Sequence, residues 1–310
     1  MKVEEELTQL SPEKDMLLTI GVFDGVHLGH KYLISKLIKQ AKQQYLHSGV
    51  VTFRQHPREL LSPRTRLPLL MDIDTRIKLL KKEGVNAVVT LSFTPELAQL
   101  NARQFISLLQ RYLRMRGLVI GPDFALGKNR EGNIDTLRKL GQDMGFSVTV
   151  VPYVKLNGET VSSTAIRKAL AEGNMKRVGG LIGRNFSLQG RVIPGVGRGS
   201  DLGFPTANLE VESRQAIPAD GVYATWTHID GKAYQSMTNI GLSPTFDNNE
   251  RTVEIYIVDY NDDLYGREID LDIVERLRDE KRFDTVEELK QQIVEDVKQG
   301  MDILSSGGSG

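Results

Sequence analysis

In a chain of 310 residues, 40 lysines and arginines balance 40 aspartates and glutamates, which excludes a broad cationic footprint for nucleic acid or an anionic membrane. Cysteine is absent, so disulfides, a thiolate zinc site and a cysteine nucleophile are excluded. The length predicts two domains, no apolar run approaches the ~18 residues of a membrane helix, and the acidic stretch 1–16 is unlike a secretory signal. We expect a soluble cytoplasmic protein without nucleic-acid or membrane partners, monomeric or weakly self-associating.

The first half alternates strand and helix patterns. Short apolar runs at 17–23, 49–53, 87–92, 118–121 and 148–153 read as buried parallel strands. Helical patterns lie between them. One covers 74–83 with an acidic cap and stops at Gly84; another is capped by Thr94, has Pro95 at its first position and runs to about residue 115; a third covers 134–144 and stops at Gly145. This alternation predicts a doubly wound, Rossmann-like α/β domain with ligands at the carboxyl ends of its strands.

Four segments of this half can carry chemistry. Gly21-Val22-Phe23-Asp24-Gly25-Val26-His27-Leu28-Gly29-His30 joins the first strand to a helical pattern. A helix start offers free N–H groups to phosphate, and the histidines add donors where charge builds in a transition state. Gly25 and Gly29 allow close backbone approach to a ligand. His56, beside Pro57, ends the second strand on the ligand side. Gly121-Pro122-Asp123-Phe124-Ala125-Leu126-Gly127-Lys128 follows a strand, but five residues separate its glycines and Asn129 replaces a hydroxyl, so it is no Walker A loop. Ser162-Ser163-Thr164-Ala165-Ile166-Arg167 opens a helix with hydroxyls, N–H groups and an arginine suited to a triphosphate.

The character changes near Arg184. Strand alternation dominates 187–275, most clearly at 222–229, 233–240, 252–259 and 269–274. A closing helix, capped by Asp284, presents Val286, Leu289, Ile293 and Val297 on one face. This predicts an antiparallel β-barrel with a C-terminal helix, then a flexible Gly/Ser tail, 305–310. The glycines of 190–199, Gly195 and Gly197 among them, offer N–H groups to phosphates. They lead to Gly203-Phe204-Pro205-Thr206-Ala207-Asn208, where Thr206 and Asn208 face one side of a strand and both oxygens can ligate magnesium. Alternation sets Glu254 opposite Val253, Ile255 and Ile257, which by pattern alone is a solvated strand position.

In order, G-x-F-D-G-V-H-x-G-H, H-P, G-x-D-F-x-x-G and S-S-T-x-I-R resemble the adenylyltransferase half of bacterial bifunctional riboflavin kinase/FAD synthetases. Gln55 and Ala125 depart from that pattern, where proline and arginine are common. The second half is similar to the riboflavin kinase module: P-T-A-N, P-x-D-G-V-Y (218–223), N-x-G-x-x-P-T-F (239–246), V-E-x-x-x-x-D, L-Y-G-R (264–267) and L-R-x-E-x-x-F (277–283). The resemblance implies an adenylyltransferase domain over 1–182 and a kinase barrel over 183–304. It implies that ATP phosphorylates riboflavin to FMN, and that a second ATP adenylylates FMN to FAD. By the same resemblance, Gly21, Phe23, Asp24, Gly25, His27, His30, Ser163, Thr164 and Arg167 hold the adenylyl donor, with His27 and His30 catalytic. His56, Asp123 and Phe124 meet the flavin of that half. Gly195, Gly197, Gly203, Pro205, Thr206 and Asn208 hold Mg-ATP for the kinase, Glu254 and Arg278 meet its flavin, and Glu254 is the base. A single-activity enzyme with a flavin-delivery domain, or a flavin sensor without turnover, are the alternatives.

Overall fold

The computed structural model describes residues 2–9, 12–61, 67–195, 199, 202–242 and 251–306. The chain divides into two compact units, Met1–Ser162 and Ser163–Gly310.

The first unit contains α1 (Lys2–Thr8), β1 (Met16–Ile20), α2 (Leu28–Gln43), β2 (His47–Phe53), α3 (Pro57–Leu61), α4 (Ile73–Lys82), β3 (Ala87–Leu91), α5 (Pro95–Gln99), α6 (Ala102–Leu113), β4 (Met115–Ile120), α7 (Ile134–Met144) and β5 (Ser147–Val150). A hairpin of β6 (Lys155–Leu156) and β7 (Glu159–Thr160) follows. The main sheet is wholly parallel, in the order β3-β2-β1-β4-β5. It is covered on both faces, because alternate residues of β1 enter different cores: Leu18 and Ile20 pack with α6 and α7, whereas Leu17 packs with Ile34, Leu37 and Leu80. This is the expected doubly wound domain.

Two local expectations in this unit need correction. The helix expected from Thr94 to about residue 115 is two helices. Thr94 caps α5, but Asn101 and Gln104 form a reciprocal capping box that starts α6 anew. The acidic cap of α4 is Asp72, whose carboxylate accepts from Thr75 N at 2.8 Å, not Asp74. In the acidic N-terminal stretch, α1 buries Val3 and Leu7, and Glu6 accepts from the backbone and hydroxyl of Ser92 at 2.8 and 2.6 Å.

The second unit opens with α8 (Ser163–Ala171) and α9 (Met175–Ile182). Next come β8 (Phe186–Ile193), β9 (Thr206–Val211), β10 (Gly221–Ile229), β11 (Lys232–Leu242), β12 (Arg251–Ile257) and β13 (Glu268–Arg278), then α10 (Val286–Ser306). The six strands close an antiparallel barrel in the order β10-β11-β12-β9-β8-β13. Inside, Thr225, Thr227, Ser236 and Thr238 are fully buried, and their hydroxyls bond one another at 2.7–2.9 Å, which satisfies them in the core. The closing helix is present, but Thr285 caps it by accepting from Glu288 N, not Asp284. Its buried face is its C-terminal half, where Val297, Met301 and Leu304 pack with Trp226, Met237 and Leu277; Val286 stays exposed.

Candidate active sites

In the order β3-β2-β1-β4-β5 the chain reverses direction between β1 and β4, which is where an open α/β sheet leaves a crevice at its carboxyl edge. The first-half candidates of the first unit all follow strands at that edge. Gly21 to His30 leave β1, His56 follows β2, and Asp123 and Phe124 follow β4.

The turn after β1 is strained. Phe23, Gly25 and Val26 all have positive φ, at 54°, 88° and 36°. Such residues persist only where the surroundings over-determine them. Buried Asp24 accepts from Leu70 N through both carboxylate oxygens, at 3.0 and 3.1 Å, so this side chain ties the turn to the chain before α4. The space beside Gly25 is taken by Leu70, 2.7 Å from where a Cβ would stand, and that beside Gly29 by the His27 ring and the Val161 carbonyl. The two glycines therefore serve close packing of the turn.

His27 is the N-cap of α2: its Nδ1 accepts from His30 N at 3.3 Å. That leaves its proton on Nε2. The two imidazoles stack at 3.6 Å and 16°, and Phe23 meets His30 edge-on at 5.1 Å. Burial, then His27 and the Arg76 cation, hold His30 well below the usual histidine range, so it is neutral. Its Nδ1 is buried without a hydrogen-bond partner. His30 is thus a neutral imidazole stacked closely on His27 at a helix N-terminus.

The other first-unit candidates are placed as follows. His56 accepts from Arg58 N at 3.1 Å. Arg130 donates to the Asp123 carbonyl at 2.9 Å. Burial, then the charge of Asp123 and a hydrogen bond to it, push the Tyr153 hydroxyl up. Phe124 is half-buried against the core. Ser163, Thr164 and Arg167 lie in the first two turns of α8, within the second unit.

On the barrel, strand register builds a second site. Glu254 stands opposite Asn208 on one neighbour and Asn239 on the other; Thr206 stands opposite Tyr256. Val253, Ile255 and Ile257 point inward and are buried, so Glu254, Tyr256, Asn208, Thr206 and Asn239 share the outer face. Gly195 lies so close to the Asn208 amide that a side chain there would overlap it. Thr206 and Pro205 also line a cavity of about 350 Å³ with Tyr260, Asp262, Leu264 and Tyr265. Gly203 has a φ of 84°. Gly197, and residues 243–246 of N-x-G-x-x-P-T-F, lie outside the described residues.

Arg278 has partners on two neighbouring segments. It donates to Asp296 of α10 from Nε at 2.9 Å and Nη2 at 2.8 Å, and to the Asp279 carbonyl from Nη1 at 3.0 Å.

Three residues of these sites received no role from the sequence. Asn239 lies in register with Glu254, and Glu280 hydrogen-bonds Asn239; burial and then Asp220 push the Glu280 carboxyl up. Both stand in the quoted motifs, which was the available signal. Arg76, fully buried beneath the histidine turn, had none.

Among the described residues no three His, Asp or Glu side chains cluster as a metal cage. The hydroxyl of Thr206 and the amide oxygen of Asn208 stand on one face of β9, and these donors fit a hard divalent ion that completes its shell with phosphate and water.

The sequence model of the FAD synthetase family matches residues 10–165, and that of riboflavin kinase matches 182–304. The bifunctional riboflavin kinase/FMN adenylyltransferases of Escherichia coli K12 and Pseudomonas fluorescens are each 36% identical over 300 residues, covering 96% of both chains. A crystal structure described as a macrolide-efflux protein from Streptococcus pneumoniae superposes with a TM-score of 0.88 at 32% identity, again covering 96% of each chain. No helix among the described residues is long and apolar enough to cross a membrane.

Proposed function

The chain belongs to the bifunctional riboflavin kinase/FMN adenylyltransferase family, and from that premise we propose how its residues divide the work. Both activities are transfers from ATP. In the first, the ribityl hydroxyl of riboflavin attacks the γ-phosphorus, the bond to the β–γ bridging oxygen breaks, and ADP leaves with FMN as product. In the second, the FMN phosphate attacks the α-phosphorus of another ATP, and pyrophosphate leaves as FAD forms.

The observation that carries the residue assignment is the register row Asn208–Glu254–Asn239 on the barrel's outer face. Glu254 accepts the hydroxyl proton as general base. Thr206 and Asn208 hold magnesium together with the ATP phosphates, and Gly195, Gly197, Gly203 and Pro205 take the ATP role that their motif implies. When bound, the ion neutralises charge that builds on the transferring phosphoryl group. Arg278 takes the flavin role of this site, its guanidinium held by Asp296 and the Asp279 carbonyl.

Adenylyl transfer needs no protein base, because its nucleophile is already an anion. It needs alignment and charge stabilisation. His27 and His30 supply donors at the α2 N-terminus, with Gly21, Phe23, Asp24 and Gly25 shaping the turn. Ser163, Thr164 and Arg167 take the triphosphate role that their motif implies, and His56, Asp123 and Phe124 the flavin role. The catalytic domains on this reading are 1–182 and 183–304. The enzyme acts in the cytoplasm on small molecules, without nucleic acid, as a monomer or weakly associating species.

The test is a time course with riboflavin, ATP and magnesium, separated by chromatography. FMN should rise and give way to FAD. His30→Ala should lower FAD formation about 10²–10³-fold while FMN still forms, the usual loss for one transition-state donor. Glu254→Gln should block FMN formation yet convert supplied FMN to FAD. Normal riboflavin turnover by Glu254→Gln would remove the base assignment.

A further inference from the structure

We propose that Arg76 is a positioning residue of adenylyl transfer, a buried cation that holds the histidine turn to the end of the neighbouring strand; this rests on reading His27 and His30 as the reacting site. Arg76 comes from α4 and is 1% exposed. Its Nη1 donates to the Val22 carbonyl at 3.1 Å and the Phe53 carbonyl at 3.0 Å. Val22 belongs to the turn leaving β1, and Phe53 is the last residue of β2. One guanidinium nitrogen therefore spans two adjacent strand ends at the ligand edge of the sheet.

The Val22 carbonyl also accepts from Thr52 Oγ1 at 2.9 Å. Phe23, with positive φ, follows directly, and the Phe23 ring packs on His30. A shift of the Val22 carbonyl therefore moves the ring that seats His30. Thr52 supports the same carbonyl without charge, so the two contributions separate experimentally.

A charged group so fully buried is costly unless compensated. Here the compensation comes from two carbonyls and from Asp24, Asp72 and Glu59, whose charges favour the cation, while its Nε is left without a partner. The charge also acts outward. His30 faces the stacked His27 ring and the Arg76 cation, and both hold its proton off. A fixed positive charge beneath the turn adds favourable potential where phosphate charge develops.

The test is steady-state kinetics of the full chain with FMN and ATP, using riboflavin phosphorylation in the same molecule as the folding control. Arg76→Met should lower kcat for FAD formation about 10–100-fold, the loss expected from misplaced groups. The KM for FMN should barely change. The low-pH limb of the kcat/KM profile should move to higher pH, because the cation that opposes His30 protonation is gone. Arg76→Lys keeps the charge but is shorter and lacks the rigid planar fork, so it holds the two carbonyls less closely and kcat should fall a few-fold with the limb unmoved. Thr52→Val should also lower kcat a few-fold with the limb unmoved.

Wild-type kcat and pH profile in Arg76→Met would overturn the proposal. So would a lower unfolding midpoint with unchanged turnover per folded molecule. If Arg76→Met does not fold, wild-type kcat in Arg76→Lys overturns it. Undiminished FAD formation by His30→Ala would instead sink the site reading, a result that none of the Arg76 variants can mimic.

Discussion

Asp296→Ala asks whether Arg278 anchors the closing helix. The carboxylate of Asp296 accepts from Arg278 Nε at 2.9 Å and Nη2 at 2.8 Å, and from Gln292 Nε2 at 3.1 Å. The two ionic side chains are only 15% and 6% exposed. Replacing such a pair by apolar groups costs little, but deleting one partner strands the other charge and costs about 3–5 kcal/mol. Water reaches part of the guanidinium, so we take the lower end, about 3 kcal/mol. With a urea slope of about 1–3 kcal/mol per molar, the midpoint should fall by about 1–3 M. The assay is unusually clean, because Trp226 is the chain's single tryptophan and packs in the cluster that α10 covers. Its fluorescence reports the barrel alone. Arg278→Met/Asp296→Leu should recover most of the loss, since it leaves no buried charge. An Asp296→Ala midpoint within about 0.3 M of wild type would refute the anchor, as would an Arg278→Met variant that loses riboflavin affinity at full stability.

His30 makes the first unit sensitive to acid. Its folded value lies below the unfolded ~6.5, so between the two the unfolded chain binds more protons and stability rises with pH; acidification through about 6.5 should lower the unfolding midpoint, and His30→Phe should flatten that slope, whereas parallel curves would refute it. Gly127→Ala puts a methyl 2.7 Å from the Ala102 nitrogen at a φ of 76°; it should cost about 1–3 kcal/mol and lower FAD formation while FMN formation persists, with equal loss of both counting against a local effect. A fragment 163–306 should unfold at higher urea than 183–306, because α9 buries Met175, Val178, Leu181 and Ile182 in the second unit and the Leu170 carbonyl accepts from Ala219 N at 2.9 Å; equal Trp226 midpoints would show that α8 and α9 add nothing to the barrel.

The fold was legible wherever one local rule governed the backbone. The parallel strands read as apolar runs because both faces of β1 are covered, and β8 and β12 read as alternation because only one of their faces is buried. Legibility failed where two signals competed. Pro95 and Thr94 start α5 as expected, yet the helix ends where Asn101 captures the backbone of the next one, a contest the periodicity of 94–115 does not reveal. Asp72 and Asp74 are both acceptable caps by composition, and only the backbone geometry selects Asp72. The sites follow the same division. The histidine motif sits where a strand-to-helix turn must place it, and Glu254 faces outward as alternation demands. Its alignment with Asn208 and Asn239 depends on the register of three strands, which no single segment encodes.

The arginines mark the limit most sharply. Arg76 and Arg278 look alike in sequence to the exposed Arg103 or Arg138, each followed by apolar residues at helical or strand spacing. What separates them is the partner supplied by a distant element: Val22 and Phe53 carbonyls for Arg76, the Asp296 carboxylate for Arg278. A buried guanidinium is expensive, so it is stable only where several acceptors already converge. In the first unit they converge at the carboxyl edge of a parallel sheet, where strand ends present carbonyls beside helix N-termini that present N–H groups. The same edge that gathers helix N-terminal donors therefore also creates an acceptor pocket behind them. A cation seated there braces the turn and biases its histidines at once, which is why the residue with no sequence signature lies directly beneath the one with the strongest.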